Sequence, residues 1–224
     1  MTNSQTISAS WLTRIAVGVV ETLPAAVRET LFQTKQEQTF SSLIASKLNS
    51  EFSHGAQKIA LVEIRGKSLN NKRRNTHDIA LLNHEGKKLC LVENKVWYHF
   101  DGAKGRRRPK IEKGVVNQLR LDIEKLKRTL CDEKGHGASG LILLNIVTPK
   151  DTNQLPSSYR KALEIALKRE EGSMSSLVES GLKGIFGEIE KATKVLLPIS
   201  HLFREFDGAT SRLDVICAEV RKSF

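Results

Sequence analysis

Residues Leu141–Val147 read Leu-Ile-Leu-Leu-Asn-Ile-Val, an almost unbroken apolar run closed by Pro149. An apolar run without alternation suits a strand buried on both faces, and a strand is covered on both faces only in a layered fold with helices on either side. The preceding segment, Ile111–Leu130, sets Val116, Leu119, Ile123, Leu126 and Leu130 at helical intervals, with Gly135 and Gly137 marking its exit. A helix leading into a central strand predicts an α/β sheet.

The rest of the chain fills in around that pair. Trp11–Val20 is apolar at helical spacing, and Pro24 breaks it from a second helix that includes Val27–Phe32. A third helix carries Phe40, Leu43, Ile44 and Leu48 on one face and ends between Asn49 and Ser53. Thr34 and Glu37 are spaced as a capping box at its start. Three strands are predicted in quick succession, Lys58–Arg65, Asp78–Asn83 and Lys88–Trp97, with His84–Lys87 as the last turn, so they form an antiparallel meander. Beyond Pro149 two helical stretches, Tyr159–Lys168 and Leu177–Leu197, precede a strand at Leu213–Val220. The expected architecture is α/β, a mixed central sheet flanked by helices with a C-terminal helical elaboration. It forms one domain over 1–224, with a core at 34–150 and the elaboration, 151–224, packed upon it.

Charge narrows the function. Hydrophobic residues at 39% and charged residues at 27% of 224 are ordinary for a globular protein and exclude disordered, collagen-like and coiled-coil chains. The net charge of +11 is not ordinary. From Arg65 to Lys113 there are 14 basic and 5 acidic residues, so this window holds +9 of the surplus. Such a field points first to nucleic acid and second to an anionic membrane face. The runs Lys72-Arg73-Arg74 and Arg106-Arg107-Arg108-Pro109-Lys110 are the expected phosphate contacts, against the alternative of solvated loops. Cys90, Cys131 and Cys217 are odd in number and lack zinc spacing, which predicts free thiols and a reducing, cytoplasmic setting. No stretch approaches the 18 to 20 apolar residues of a membrane span, and no targeting signal is read. No phosphate-binding loop of the GxxxxGK[ST] type is present, so no nucleotide cofactor is expected.

The chemistry concentrates on the second and third strands. Along Leu89–Lys95 side chains alternate, so Glu93 and Lys95 emerge together on the face carrying Leu89 and Leu91. A carboxylate and an amine on a buried strand require pairing, solvation or a metal. Asp78, 15 positions earlier, reaches the same sheet end across the hairpin, and two converging carboxylates suit a hard cation such as Mg²⁺. The bland reading is a same-face ion pair with Asp78 as a strand-start residue.

Asp78 followed by Glu93-Asn94-Lys95 resembles the D…(D/E)xK signature of the PD-(D/E)XK nuclease superfamily, the restriction-endonuclease-like fold, and the order helix, meander, helix, strand over Thr34–Val147 matches that family's order. His77 stands where the motif name has Pro. The resemblance implies that Asp78 and Glu93, helped by the backbone carbonyl of Asn94, hold Mg²⁺, for which Mn²⁺ substitutes. It also implies that Lys95 orients or deprotonates the attacking water. Glu37, on the helix before the meander, is a further acidic candidate whose alternative is the cap with Thr34. Glu63 is a weaker carboxylate candidate on the first strand. Gln118 follows relatives that place Gln on the next helix, although Asp122 occupies the position of the Tyr that accompanies it. The function so implied is a Mg²⁺-dependent DNA endonuclease of restriction, defence or repair type, with a homodimer as one arrangement. The alternatives are a non-catalytic nucleic-acid-binding protein of the same fold and an assembly protein whose core carboxylates are structural.

Overall fold

The computed structural model describes residues 7–34, 36–52, 58–66, 75–99, 111–132, 138–149, 153, 155, 157–169, 172–193, 199–207 and 210–220. Helix α1 (Ala9–Thr22) starts where the Ser8 hydroxyl accepts the Trp11 N–H, and it buries Leu12, Ile15, Ala16, Val19 and Val20 at helical spacing. Pro24 separates it from α2 (Ala25–Gln33), and α3 (Glu37–Phe52) buries Phe40, Ile44, Leu48 and Phe52. The meander follows as β1 (Lys58–Gly66), β2 (Asn75–Asn83) and β3 (Lys88–Tyr98). Then come α4 (Ile111–Asp132), β4 (Ser139–Pro149), α5 (Ser157–Arg169), α6 (Met174–Thr193), β5 (Ile199–Glu205) and β6 (Thr210–Val220).

The six strands form one sheet in the order β1-β2-β3-β4-β6-β5. Only β3 and β4 run parallel, from Cys90↔Ser139 to Tyr98↔Val147, and the other pairs are antiparallel. Parallel neighbours need a long crossover, and α4 lies in it. Strand alternation then sorts side chains into two cores. Cys90, Val92, Val96, Leu143 and Val215 pack with α1, α2, α3 and α5, while Leu91, Trp97, Leu144 and Ile216 pack with Leu119, Ile123 and Leu126 of α4 and Ile185 and Ile189 of α6. The mixed sheet flanked by helices is therefore present. Among the described residues no helix is long and apolar enough to cross a membrane.

The β2–β3 hairpin turns at Asn83–Lys87. Asn83 Oδ1 accepts the N–H groups of Glu85 and Lys87, and Gly86 takes φ 75°, the left-handed region that glycine occupies without strain. The structure departs from the sequence expectations in several places. β2 begins at Asn75, three residues before Asp78, because Asn75, Thr76 and His77 pair with β1. β4 runs on through Pro149, where the register with β6 shifts. β5 was not expected. It is an edge strand whose residues from His201 to Glu205 are all exposed, so it lacks the alternation that marks a half-buried strand. Leu89 packs against the core opposite Leu91, so only Leu91 shares a face with Glu93. The Thr34–Glu37 capping box is not formed: Thr34 ends α2 and donates its hydroxyl to Thr30 O, and α3 starts at Glu37 itself.

Candidate functional site

The pairing of β2 with β3 runs from Lys88 only to Ile79↔Val92. Beyond that point β2 stays with β1, and Asp78 stands at the fork. Its Oδ2 accepts the Asn94 N–H at 2.7 Å, taking the place a ladder carbonyl would fill. This contact fixes Asp78 against the strand that carries Glu93 and Lys95. Asn94 is held on the other face: its Nδ2 donates to Ser41 Oγ (2.9 Å) and its Oδ1 accepts from Asn145 Nδ2 (2.7 Å). Buried amides bonded on both sides hold the register of β3 against α3 and β4.

Lys95 is the hub. Its Nζ lies 3.4 Å from Glu37 Oε2, 3.5 Å from Asp122 Oδ2 and 3.9 Å from Asp78 Oδ2. Its side chain is 8% exposed, against 36% for Glu37, 13% for Asp122 and 32% for Asp78, so the ammonium is the inner member and Glu37 and Asp78 are the solvent-facing ones. Burial works to lower the Lys95 pKa, but Asp122, Glu37, Asp78 and Glu93 together outweigh it and raise the value above the ordinary lysine range. Glu37 also brings Oε1 to 3.4 Å from the Val96 N–H, and as the first residue of α3 it sits at the positive end of the helix dipole. Glu37 thus makes no box with Thr34 and stands instead beside the Lys95 ammonium.

Glu93 lies deeper, fully buried between two elements. His77 Nδ1 donates to its Oε1 at 2.6 Å, and Lys125 Nζ is 2.6 Å from its Oε2, an ion pair outside hydrogen-bond angles. Burial raises the Glu93 pKa, while the His77 hydrogen bond and the Lys125 charge oppose it. Asp122 is likewise raised by burial, against the pull of Lys95 and Lys125.

Helix α4 contributes what the sequence reading missed. Asp122, Lys125 and Thr129 reach Lys95, Glu93 and His77 respectively, Thr129 Oγ1 lying 3.2 Å from His77 Nε2. Each immediately precedes an apolar anchor (Ile123, Leu126, Leu130), so the signal was a polar row at i, i+3 and i+7 beside the apolar stripe. Gln118, one turn before Asp122, is exposed and is not among the side chains meeting Lys95. Of the aromatic residues after the motif, Trp97 and Tyr98 are buried, and Tyr98 donates its hydroxyl to Phe32 O and Gln33 O. Lys72, Arg73, Arg74, Arg106, Arg107, Arg108, Lys110 and Phe100 lie outside the described residues, as does the Glu63 side chain.

The donors are carboxylate oxygens, the set a hard divalent cation takes. Among the described residues no three His, Cys, Asp or Glu side chains stand together ready to hold a metal. Two observations nevertheless fit a cation. Glu93 Oε2 and Asp122 Oδ2 are buried without a hydrogen-bond partner, each facing an ammonium as an ion pair, Lys125 at 2.6 Å and Lys95 at 3.5 Å. Four carboxyl groups (Glu37, Asp78, Glu93, Asp122) also outnumber the two ammoniums (Lys95, Lys125) and the His77 imidazole that face them. Family models, curated proteins and solved structures give no match to this chain.

Proposed function

We propose that the chain is a Mg²⁺-dependent deoxyribonuclease of the PD-(D/E)XK type, on a restriction-endonuclease-like fold. The observation that carries the reading is the gathering of Glu37, Asp78 and Asp122 within 4 Å of the Lys95 ammonium at the β2–β3 fork, with Glu93 two residues before Lys95 on the same strand and linked to Asp122 through Lys125. Asp78 and Glu93 would hold the ion, with the Asn94 carbonyl beside them. When bound, Mg²⁺ supplies a Lewis acid for a phosphodiester and makes water a better nucleophile.

The chain's own residues do the remainder. Lys95, held protonated by its carboxylate neighbours, acts as a donor: it orients the nucleophile and offsets charge growing on the phosphate. That protonation argues against Lys95 as the base. Asp122, whose Oδ2 pairs with Lys95 at 3.5 Å without a hydrogen bond and whose pKa burial raises, is the better proton acceptor. The basic surplus between Arg65 and Lys113 supplies affinity for DNA phosphates.

A second reading, a nucleic-acid-binding protein without catalysis, is favoured by one observation: two lysines already sit among the carboxylates. Incubation of the full chain with supercoiled plasmid and with single-stranded DNA, in Mg²⁺, in Mn²⁺ and in chelator, separates the two. Metal-dependent nicking supports the nuclease. Retention of DNA with no cleavage in either metal supports the binding module.

A further inference from the structure

Glu93 cannot leave its place. It is fully buried on a strand that pairs with β4 at this position, Glu93 opposite Ile142, and His77 holds one of its oxygens. Lys125 can leave. It sits on the outer helix α4 with 23% of its side chain exposed, on a flexible four-carbon stem that reaches inward to Glu93 Oε2 and to Thr76 O (2.8 Å). The oxygen it covers is the one Glu93 oxygen that His77 leaves open. A divalent ion and this ammonium therefore need the same atom.

Resting on the nuclease reading, we infer that Lys125 is a built-in competitor for the cation: it holds the Glu93 carboxylate in place in the metal-free protein and is displaced from Oε2 when a divalent ion binds. An uncompensated buried carboxylate is strongly disfavoured, so a metal site at Glu93 needs a counter-charge while it waits for the ion. Lys125 supplies that charge at 2.6 Å, and Asp122 Oδ1, 3.8 Å from the same Nζ, offers it a partner after displacement. The exchange moves a side chain and leaves the sheet unchanged.

The test is Mn²⁺ binding to the full chain by calorimetry, comparing the parent with Lys125→Gln and Lys125→Arg. Removal of the competitor predicts at least tenfold tighter binding in Lys125→Gln. A guanidinium grips a carboxylate in bidentate fashion, so Lys125→Arg is expected to bind at least fivefold more weakly than the parent. A simple field effect would leave Arg equal to Lys, and that result overturns the inference, as does parental affinity in Lys125→Gln. A second readout uses the parent alone. Acetylation of Lys125 by an N-hydroxysuccinimide ester, followed by mass spectrometry, should rise severalfold on adding Mn²⁺ while the exposed Lys183 stays constant; no rise overturns the exchange even if a variant fails to fold. Absence of Mn²⁺ binding in all three forms at millimolar metal overturns the metal reading itself and the competitor with it, whereas a parent that binds and cleaves beside an unchanged Lys125→Gln overturns the competitor alone.

Discussion

Two glycines of α6, Gly181 and Gly187, should respond to alanine with opposite signs. In a helix interior Gly→Ala removes backbone freedom from the unfolded chain and stabilises by about 1 kcal/mol. Gly187 has nothing within 4 Å of where a Cβ would stand, so Gly187→Ala should realise that gain. At Gly181 the new Cβ would lie 2.4 Å from the His99 carbonyl oxygen and 3.1 Å from its carbon, both backbone atoms next to the end of β3. Relief requires α6 to move roughly 1 Å off the sheet, and overpacking of that kind costs about 1–3 kcal/mol. After the propensity gain the net change is about 0 to 2 kcal/mol destabilising, so the two variants should differ by about 1–3 kcal/mol. At about 2–4 °C per kcal/mol for a chain of this size, scanning calorimetry should place Gly181→Ala 2–12 °C below Gly187→Ala. Equal midpoints, or a Gly181→Ala protein more stable than Gly187→Ala, would refute the close approach of α6 to the backbone that follows β3.

Asp214 is buried, and it accepts hydrogen bonds from His99 Nε2 (3.0 Å), His201 Nε2 (2.8 Å) and Arg212 Nε (2.8 Å). Burial alone would raise its pKa; the bonds from His201, His99 and Arg212 outweigh that and hold it well below the usual carboxylate range. Its contribution to stability is therefore complete above the unfolded value near 4 and is lost progressively as pH falls below it toward the depressed folded value, so urea unfolding should find Asp214→Asn about 2 kcal/mol less stable than the parent at pH 7, with the gap narrowing steadily as pH falls below about 4. Glu37→Gln keeps an acceptor for the Val96 N–H but loses the charge facing Lys95, so the melting point should hold within 2 °C while single-turnover cleavage falls at least tenfold, about 1.4 kcal/mol. The three thiols are free, and burial pushes Cys90 up to about 12 and Cys217 well above the ordinary thiol range, so an aromatic disulfide reagent should titrate one fast group, Cys131, and release the other two only on unfolding.

What the sequence made legible follows its periodicities. The meander, the α4–β4 crossover and the buried run at Leu141–Val147 are strong patterns because apolar spacing and strand length leave few alternatives. Asp78, Glu93 and Lys95 were legible because charged residues interrupt otherwise buried strands. Asp122 and Lys125 were not, since charge on a helix flank usually faces water and only the packing of α4 on β3 turns these two inward. Glu37 was legible as a candidate but not as a decided one, because both a cap and a site call for a carboxylate at a helix start; the contact to Lys95, 58 residues away, is long-range and invisible to local pattern. β5 escaped because edge position and exposure remove the very alternation by which strands are recognised.

The claim that Asp78, Glu93 and Lys95 form a hydrolytic centre is tested most directly by single-turnover cleavage of plasmid DNA with Glu93→Gln beside the parent, with DNA affinity measured on the same preparations. Gln keeps the shape of the side chain and its contact to His77 while removing the charge. The account predicts Mg²⁺-dependent cleavage by the parent, a loss of at least a hundredfold (about 2.7 kcal/mol) in Glu93→Gln, and DNA affinity within twofold of the parent. Cleavage by Glu93→Gln at the parental rate, or a parent that binds DNA and leaves it intact in Mg²⁺ and Mn²⁺ alike, would contradict it.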